Sequence, residues 1–542
     1  MEKIDQNKLK RQLKGLNKLE QNNWTGTIHY TTRVGKRFIL CYEGFKRYFN
    51  KNPGATVLVL VPSKALVDEW NSEIDKFSDK YEGRDGIQVL TIDKTIHMLK
   101  GKPPLKVDWL IADEGDAYMG TVRYEYINGN RIVYGSITIL TATLFLIKKY
   151  RPELLDKSPV LDKIGRKEAE RLSYIGKYVE FNLGIELPED DRILYDELDR
   201  MVKRGFAKFL SLFEIDEVEV FFNSIIKKTG RYMYIPDLDV TTINQYDKVR
   251  TIVSCCMNGN YYKNKAGYKT WGTKESWCKL VAEKMGWNTK LNENDPMSAS
   301  IIANWSPKSI FVASVRLTNS MADRQKLLQL HKLKAKTVLE VLDFLDFPET
   351  ITFSEKTSFV NLLHRYINFC TGKELAVKHH SNLKSEPIKH YREEKRKLIY
   401  DEKQTDFIRY KGGQKKGLPK LFSSDKLFKI KMDKLADGRA VVFCVAKAVG
   451  RGFTWSKSRC GITTSYADSR TEYVQNTGRL LGIAEDKSIS FLINIYFKNT
   501  IETKKLVSRQ KAIEKGGNKP RWIDDISEIV EEQVSNTFNL GI

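Results

Sequence analysis

The sequence predicts an α/β fold organised on parallel sheet, and three observations predict it. Apolar, β-branched runs alternate with amphipathic segments of helical spacing through the first 150 residues. One run, ATVLVLVP (55 to 62), is apolar almost without interruption, as strands covered on both faces are. Polar residues suited to chemistry fall where the runs end, the place where open α/β sheets hold ligands.

Taken in order, TIHYTT (27 to 32) is a short β-rich run. It leads through a loop containing Gly35 and Lys36 into RFILCYEGFKRYFNKN, where Phe38, Tyr42, Phe45 and Phe49 recur at helical spacing. The strand 55 to 62 is followed by SKALVDEWNSEIDKF, an amphipathic helix. GIQVLTI (86 to 92), VDWLIAD (107 to 113) and SITILTAT (136 to 143) read as three further strands. The GK loop, Pro62, Thr91, Asp113 and Thr143 therefore lie at strand ends.

A net charge of +23, from 91 Lys and Arg against 68 Asp and Glu, favours a polyanionic partner. No apolar run approaches the roughly 20 residues of a membrane helix. The opening MEKIDQNKLKRQLKG has no apolar core of a secretory signal. Seven scattered cysteines suit a reducing compartment better than a disulfide framework. The expectation is a cytoplasmic or nucleoid-associated protein.

TTRVGKRF (31 to 38) approximates a phosphate-binding loop, in which backbone N–H groups cradle phosphates and a hydroxyl after GK holds Mg²⁺. Arg33 stands where a glycine is usual, and Arg37 replaces the hydroxyl. The loop on its own leaves three readings: a nucleotide site, a degraded one or a coincidence. Asp113 and Glu114, directly after a strand, are the pair with which an ATPase holds Mg²⁺ and orients water, and also a common helix start.

The order of these and later segments resembles the superfamily 2 helicases and translocases. The GK loop is similar to their motif I, VLVLVPSKALVDEW (57 to 70) to motif Ia, and VLTIDKTIHML (89 to 99) to the nucleic-acid-contacting segment that follows. IADEGD (111 to 116) is similar to the DEAD/DEAH box and LTATL (140 to 144) to motif III. ETITFSEKTSFVNLLHRYI (349 to 367) with AVKHHS (376 to 381) resembles motif IV and its following strand. RAVVFCVAKAVGRGFTW (439 to 455) resembles motif V, EYVQNTGRLLG (472 to 482) motif VI, and 486 to 505 the closing strand and helix.

The resemblance implies two RecA-like domains closing on ATP and Mg²⁺, with nucleic acid lying across both. It places Lys36 on the β and γ phosphates, and Thr32, Arg33, Gly35, Arg37 and Gly452 around the nucleotide. Gln12 would read adenine, Asp113 hold Mg²⁺, Glu114 polarise water, and Thr141 and Thr143 couple nucleotide to nucleic acid. Gln475 and Arg479 would reach in from the second domain. Lys64, Thr91, Ser354 and Lys447 are candidate phosphodiester contacts, with an equal reading as solvated or capping residues. Gly482 stands where motif VI carries its last arginine. Arg37 is then either an obstacle to the metal or a replacement for that arginine.

The implied organisation is a first RecA-like domain at 1–155, a helical linker and inserted domain at 156–345, a second RecA-like domain at 346–500 with a basic insertion at 383–434, and a helical tail at 501–542. Within the inserted part, 260 to 290 interleaves lysines with Tyr261, Tyr262, Tyr268, Trp271, Trp277 and Trp287, a pattern for stacking on bases or for a small core. The acidic helix read at 523 to 538 would pack on the basic body or bind a protein partner. The expected function is an ATP-dependent helicase or translocase on duplex or branched DNA, the DNA lean resting on similarity to UvsW-like and restriction-type motors. Two alternatives stay open: a non-hydrolysing scaffold that binds nucleic acid, and the motor subunit of a restriction complex.

Overall fold

The computed structural model describes residues 5–210, 249–250, 252–264, 267–287, 306–380, 391–394, 397–400, 424–446, 455, 457–466, 478, 480, 489–513 and 519–529. The first sheet is made of β1 (Gly26–Tyr30), β2 (Val57–Val61), β3 (Ile87–Thr91), β4 (Leu105–Asp113), β5 (Ile132–Thr141) and β6 (Val160–Ile164). All are parallel, in the order β3-β2-β4-β5-β1-β6. The uninterrupted apolar run explains why β2 lies inside this sheet and not at its edge. On β2, Val57, Val59 and Val61 enter one core with the helices Gln6–Gln21 and Lys64–Lys76, while Leu58 and Leu60 enter another with Leu110, Tyr118 and Ile147. Burying each such side chain is worth about 2 kcal/mol, which fixes the strand between two helical layers.

β5 lies between β1 and β4, with His29 opposite Thr141 and Asp113 opposite Leu140. That order brings the ends of the GK strand, the DEGD strand and the TAT strand side by side. β6 adds an edge strand to those read from the sequence, and it anchors the first helix. Asp162 on β6 accepts from Arg11 at 2.5 Å, Lys18 at 3.1 Å and Tyr30 Oη at 2.7 Å. Gly15 permits this approach, because a Cβ there would sit 2.0 Å from Tyr30 Oη.

The second sheet draws on β7 (Lys177–Ile185), then, after a hairpin of β8 (Asn260–Asn264) and β9 (Gly267–Gly272), on β10 (Thr350–Ser354) and β11 (Ala376–His379). A second hairpin, β12 (Tyr391–Glu394) and β13 (Lys397–Tyr400), precedes β14 (Val442–Ala446), β15 (Cys460–Thr463), β16 (Ile489–Phe497) and β17 (Arg521–Ile523). The order is β11-β14-β10-β15-β16-β7-β17, again parallel throughout. Two parallel sheets flanked by helices are the build of two RecA-like domains, the fold class expected.

The segments reach these sheets by a less direct route than sequence order implies. β6 and β7 lie within 156–345, yet one closes the first sheet and the other sits inside the second. Helix Ile501–Ile513 and β17, within 501–542, also belong to the second domain, and Ile526 and Ile529 pack into its core. The acidic segment at 523 to 538 is described only to residue 529, and most of the basic insertion at 383–434 lies outside the described residues. In the inserted part, helices Glu189–Leu210, Lys274–Trp287 and Pro307–Gln329 enclose Val202, Phe206, Trp277, Val281 and Leu317. Trp277 is thus a core residue. Arg324 pairs with Asp199 between the first and last of these helices.

Three histidines are held neutral by the fold. Burial pushes His29, His364 and His379 each down to about 4 from an ordinary 6.5, and nearby lysines add to the effect. Between those values the unfolded chain binds protons that the folded chain refuses, so stability rises with pH through the window and is lost as pH falls from about 6.5 towards 4. The urea midpoint of the second domain is expected to drop between pH 7 and pH 5, and His379→Gln to flatten that drop. A pH dependence unchanged in the variant would remove His379 as a cause.

Candidate nucleotide site

The loop after β1 turns on two left-handed residues. Gly35, at φ 96°, starts the helix that carries Lys36, and Arg33, at φ 72°, adopts the same region with a full side chain. A long residue in that conformation stores strain, and such strain concentrates at functional loops. Glu114, at φ 51°, is a second case, just past the end of β4 and one strand removed from β1. Gly115 after it is required by packing, since a Cβ would lie 2.5 Å from Ile139 Cγ2.

The side chains come from five elements. Gln12, 1% exposed on the first helix, donates through Nε2 to Val34 O at 2.5 Å, and its buried Oε1 has no hydrogen-bond partner. A cradle against Gly35 with an orphaned acceptor fits an exocyclic amino group of a nucleobase. Lys36, nearly buried, donates Nζ to Tyr30 O at 3.0 Å inside the loop. Asp113, also buried, accepts Trp70 Nε1 at 2.8 Å on Oδ2 and its own neighbour Glu114 N at 3.0 Å on Oδ1. His29 binds Ala142 O at 3.3 Å, and Thr141 Oγ1 accepts Thr143 N at 3.0 Å, which joins the β1 and β5 ends.

Arg37 is engaged by a carboxylate of a neighbouring helix. It donates to Glu69 Oε2 at 2.6 Å on the helix after β2. Burial works against its charge, and Glu69 together with Asp113 holds that charge in place. Burial also pushes the Glu69 carboxyl up, Asp113 adds to this, and Arg37 and Arg33 oppose it. The residue after the loop lysine, where a hydroxyl ligand would stand, is the Arg37 guanidinium, and Asp113 accepts one hydrogen bond on each oxygen. A guanidinium cannot be a metal ligand, so the donor set fits Mg²⁺ poorly.

The second domain meets the first at this loop. Arg33 Nε donates to Gly478 O at 3.2 Å, and a Cβ on Gly478 would lie 2.5 Å from Thr32 Oγ1. Leu480 is fully buried in a core cluster that joins first-domain residues to Tyr178 and Leu492 of the second sheet. Gln475, Arg479, Gly452, Lys447 and Gly482 lie outside the described residues.

The remaining candidates are spread along the strand ends. Thr91 Oγ1 caps the next helix by accepting Lys94 N at 3.1 Å, and Ser354 Oγ accepts Lys356 N at 3.4 Å. Lys64 is exposed at the first turn of its helix. Sequence reasoning missed Glu69 and Trp70. The signal for Trp70 was available in principle, because a buried indole N–H requires an acceptor.

What the fold and site define together is an α/β protein with two RecA-like sheets and a strand-end site at the edge of the first. Among solved structures, the crystal structure of the Pyrococcus furiosus Hef helicase domain is similar at 14% identity, over 93% of this chain and 98% of that one, with a TM-score of 0.43. No protein-family model and no curated protein matches the sequence.

Proposed function

We propose that the chain is an ATP-dependent helicase or translocase acting on duplex or branched DNA. The observation that carries this reading is the bond from Arg33 in the GK loop to Gly478 of the second domain, beside the orphaned Gln12 oxygen. A ligand in that loop alters the join between two sheets, which is what a motor requires. In this scheme Gln12 holds the base, and Lys36 with the loop N–H groups holds the phosphates. Glu114 orients a water that attacks the γ phosphorus as the bond to the β–γ bridging oxygen breaks; the water's proton passes to Glu114 and on to phosphate.

A second reading, a chain that binds nucleotide and nucleic acid without hydrolysis, is favoured by the Arg37–Glu69 pair where a metal ligand would stand. Measuring ATP turnover with and without forked DNA separates the two. DNA-stimulated turnover supports the motor, and binding with no turnover supports the scaffold.

The +23 charge makes binding to a polyanion depend steeply on salt. Each phosphate neutralised is expected to add about 0.9 to the slope of log affinity against log salt for duplex DNA. A flat titration between low and physiological salt would remove electrostatic capture of DNA from the scheme.

A further inference from the structure

Arg37 is a fixed positive charge at the position next to the loop lysine. It is joined at 2.6 Å to Glu69, and the Asp113 carboxylate lies within its electrostatic reach. Glu69 in turn lies in the fields of both Arg33 and Arg37. The cluster thus has two guanidinium groups and two carboxylates beside the buried Lys36. In the usual arrangement the positive charge at this place is a hydrated dication held partly by a hydroxyl. Here the hydroxyl is replaced by a cation, which repels a second cation.

We propose that the Arg37 guanidinium, and not a divalent ion, is the positive charge that this site sets against the nucleotide phosphates, so that nucleotide binding does not require Mg²⁺. Guanidinium is suited to the role. It remains charged when buried, and its planar set of N–H donors pairs with phosphate oxygens in bidentate fashion. The bond to Glu69 orients the group and takes one donor, leaving others for phosphate. Glu69 competes with phosphate for Arg37, holding the guanidinium on the Asp113 side of the loop until a triphosphate displaces it.

This inference rests on the reading of the loop as a nucleotide site, and one titration tests both. A fluorescent ATP analogue is titrated into the full chain in EDTA and in millimolar Mg²⁺. The wild-type Kd is expected to agree within about twofold between the two buffers, while Arg37→Thr, which restores the hydroxyl, is expected to bind about tenfold more weakly in EDTA than in Mg²⁺. Glu69→Gln, which keeps the shape and loosens Arg37, is expected to bind several-fold more tightly in EDTA than the wild type. A wild-type Kd that rises about tenfold in EDTA overturns the proposal. So does an Arg37→Thr protein indifferent to Mg²⁺. Absence of binding in both buffers overturns the nucleotide site itself, and is recognisable as that separate result.

Discussion

A Glu114→Gln protein is expected to bind ATP as the parent does and to lose DNA-stimulated turnover by about 10²- to 10⁴-fold, the range of a positioned general base. The reason is local. Glu114 follows the buried Asp113 at the carboxyl end of β4 and is held in a left-handed conformation at φ 51°. Gln keeps the length and shape of the side chain, so the loop and the contact of Gly115 with Ile139 are retained, while the proton acceptor is lost. Turnover rates and analogue affinities measured on the two proteins check this. Equal rates would exclude Glu114 from the chemistry.

The site was legible in the sequence as far as it depends on strand ends. Asp113 and Thr141 end strands, Glu114 directly follows one, and Lys36 opens the helix after another, so their place at the carboxyl ends of the sheet follows from the fold class. Glu69 and Trp70 were not legible. Glu69 is half-buried beside the fully buried Trp70 on an ordinary amphipathic helix, and only the β2–β4 pairing brings that helix against Asp113. β7 was unread for a different reason. Glu180 and Asn182 break its apolar run, and both are buried. Their partners are Asn494, at 2.7 Å and 2.8 Å, and for Glu180 also Arg509 at 3.0 Å. No local pattern can announce a polar strand whose partners lie some three hundred residues away.

Glu502→Ala is expected to destabilise the second domain by about 3–5 kcal/mol, the cost of leaving a buried charge without its partner. Lys334 is 0% exposed and donates to Glu502 Oε1 at 2.6 Å and to Thr464 O at 2.7 Å. Glu502 Oε2 accepts Phe497 N at 3.0 Å, so one carboxylate ties helix Lys332–Phe344 to the end of β16. Burial pushes the Lys334 ammonium pKa down, and Glu502 opposes that fall. Removing Glu502 leaves the Thr464 carbonyl, the Phe497 and Tyr466 rings at 5.2 and 5.8 Å and the field of Glu355, without a paired carboxylate. Pairing the change with Lys334→Met is expected to recover much of the loss, since a similar volume then enters without charge. Urea unfolding of the single and double variants measures the difference; a single variant within about 1 kcal/mol of the parent would show the pair to be dispensable.

The place of β7 in the second sheet fixes an order of events during synthesis. The first sheet is complete in sequence once β6 has left the ribosome. β7 follows within a few residues, yet its neighbour β16 begins at Ile489, which at 5–20 residues per second arrives about 15–60 s later. Throughout that interval the nascent chain carries a strand with Tyr178, Phe181 and Leu183 that has no native neighbour. An open apolar strand invites pairing with other chains, and an inward-facing charge discourages it. Glu180 and Asn182 supply that discouragement at mid-strand, and it ends when Asn494 and Arg509 emerge to receive them. The same polar residues that hide β7 from a reader of the sequence keep it from the wrong partners while the rest of its domain is still being made.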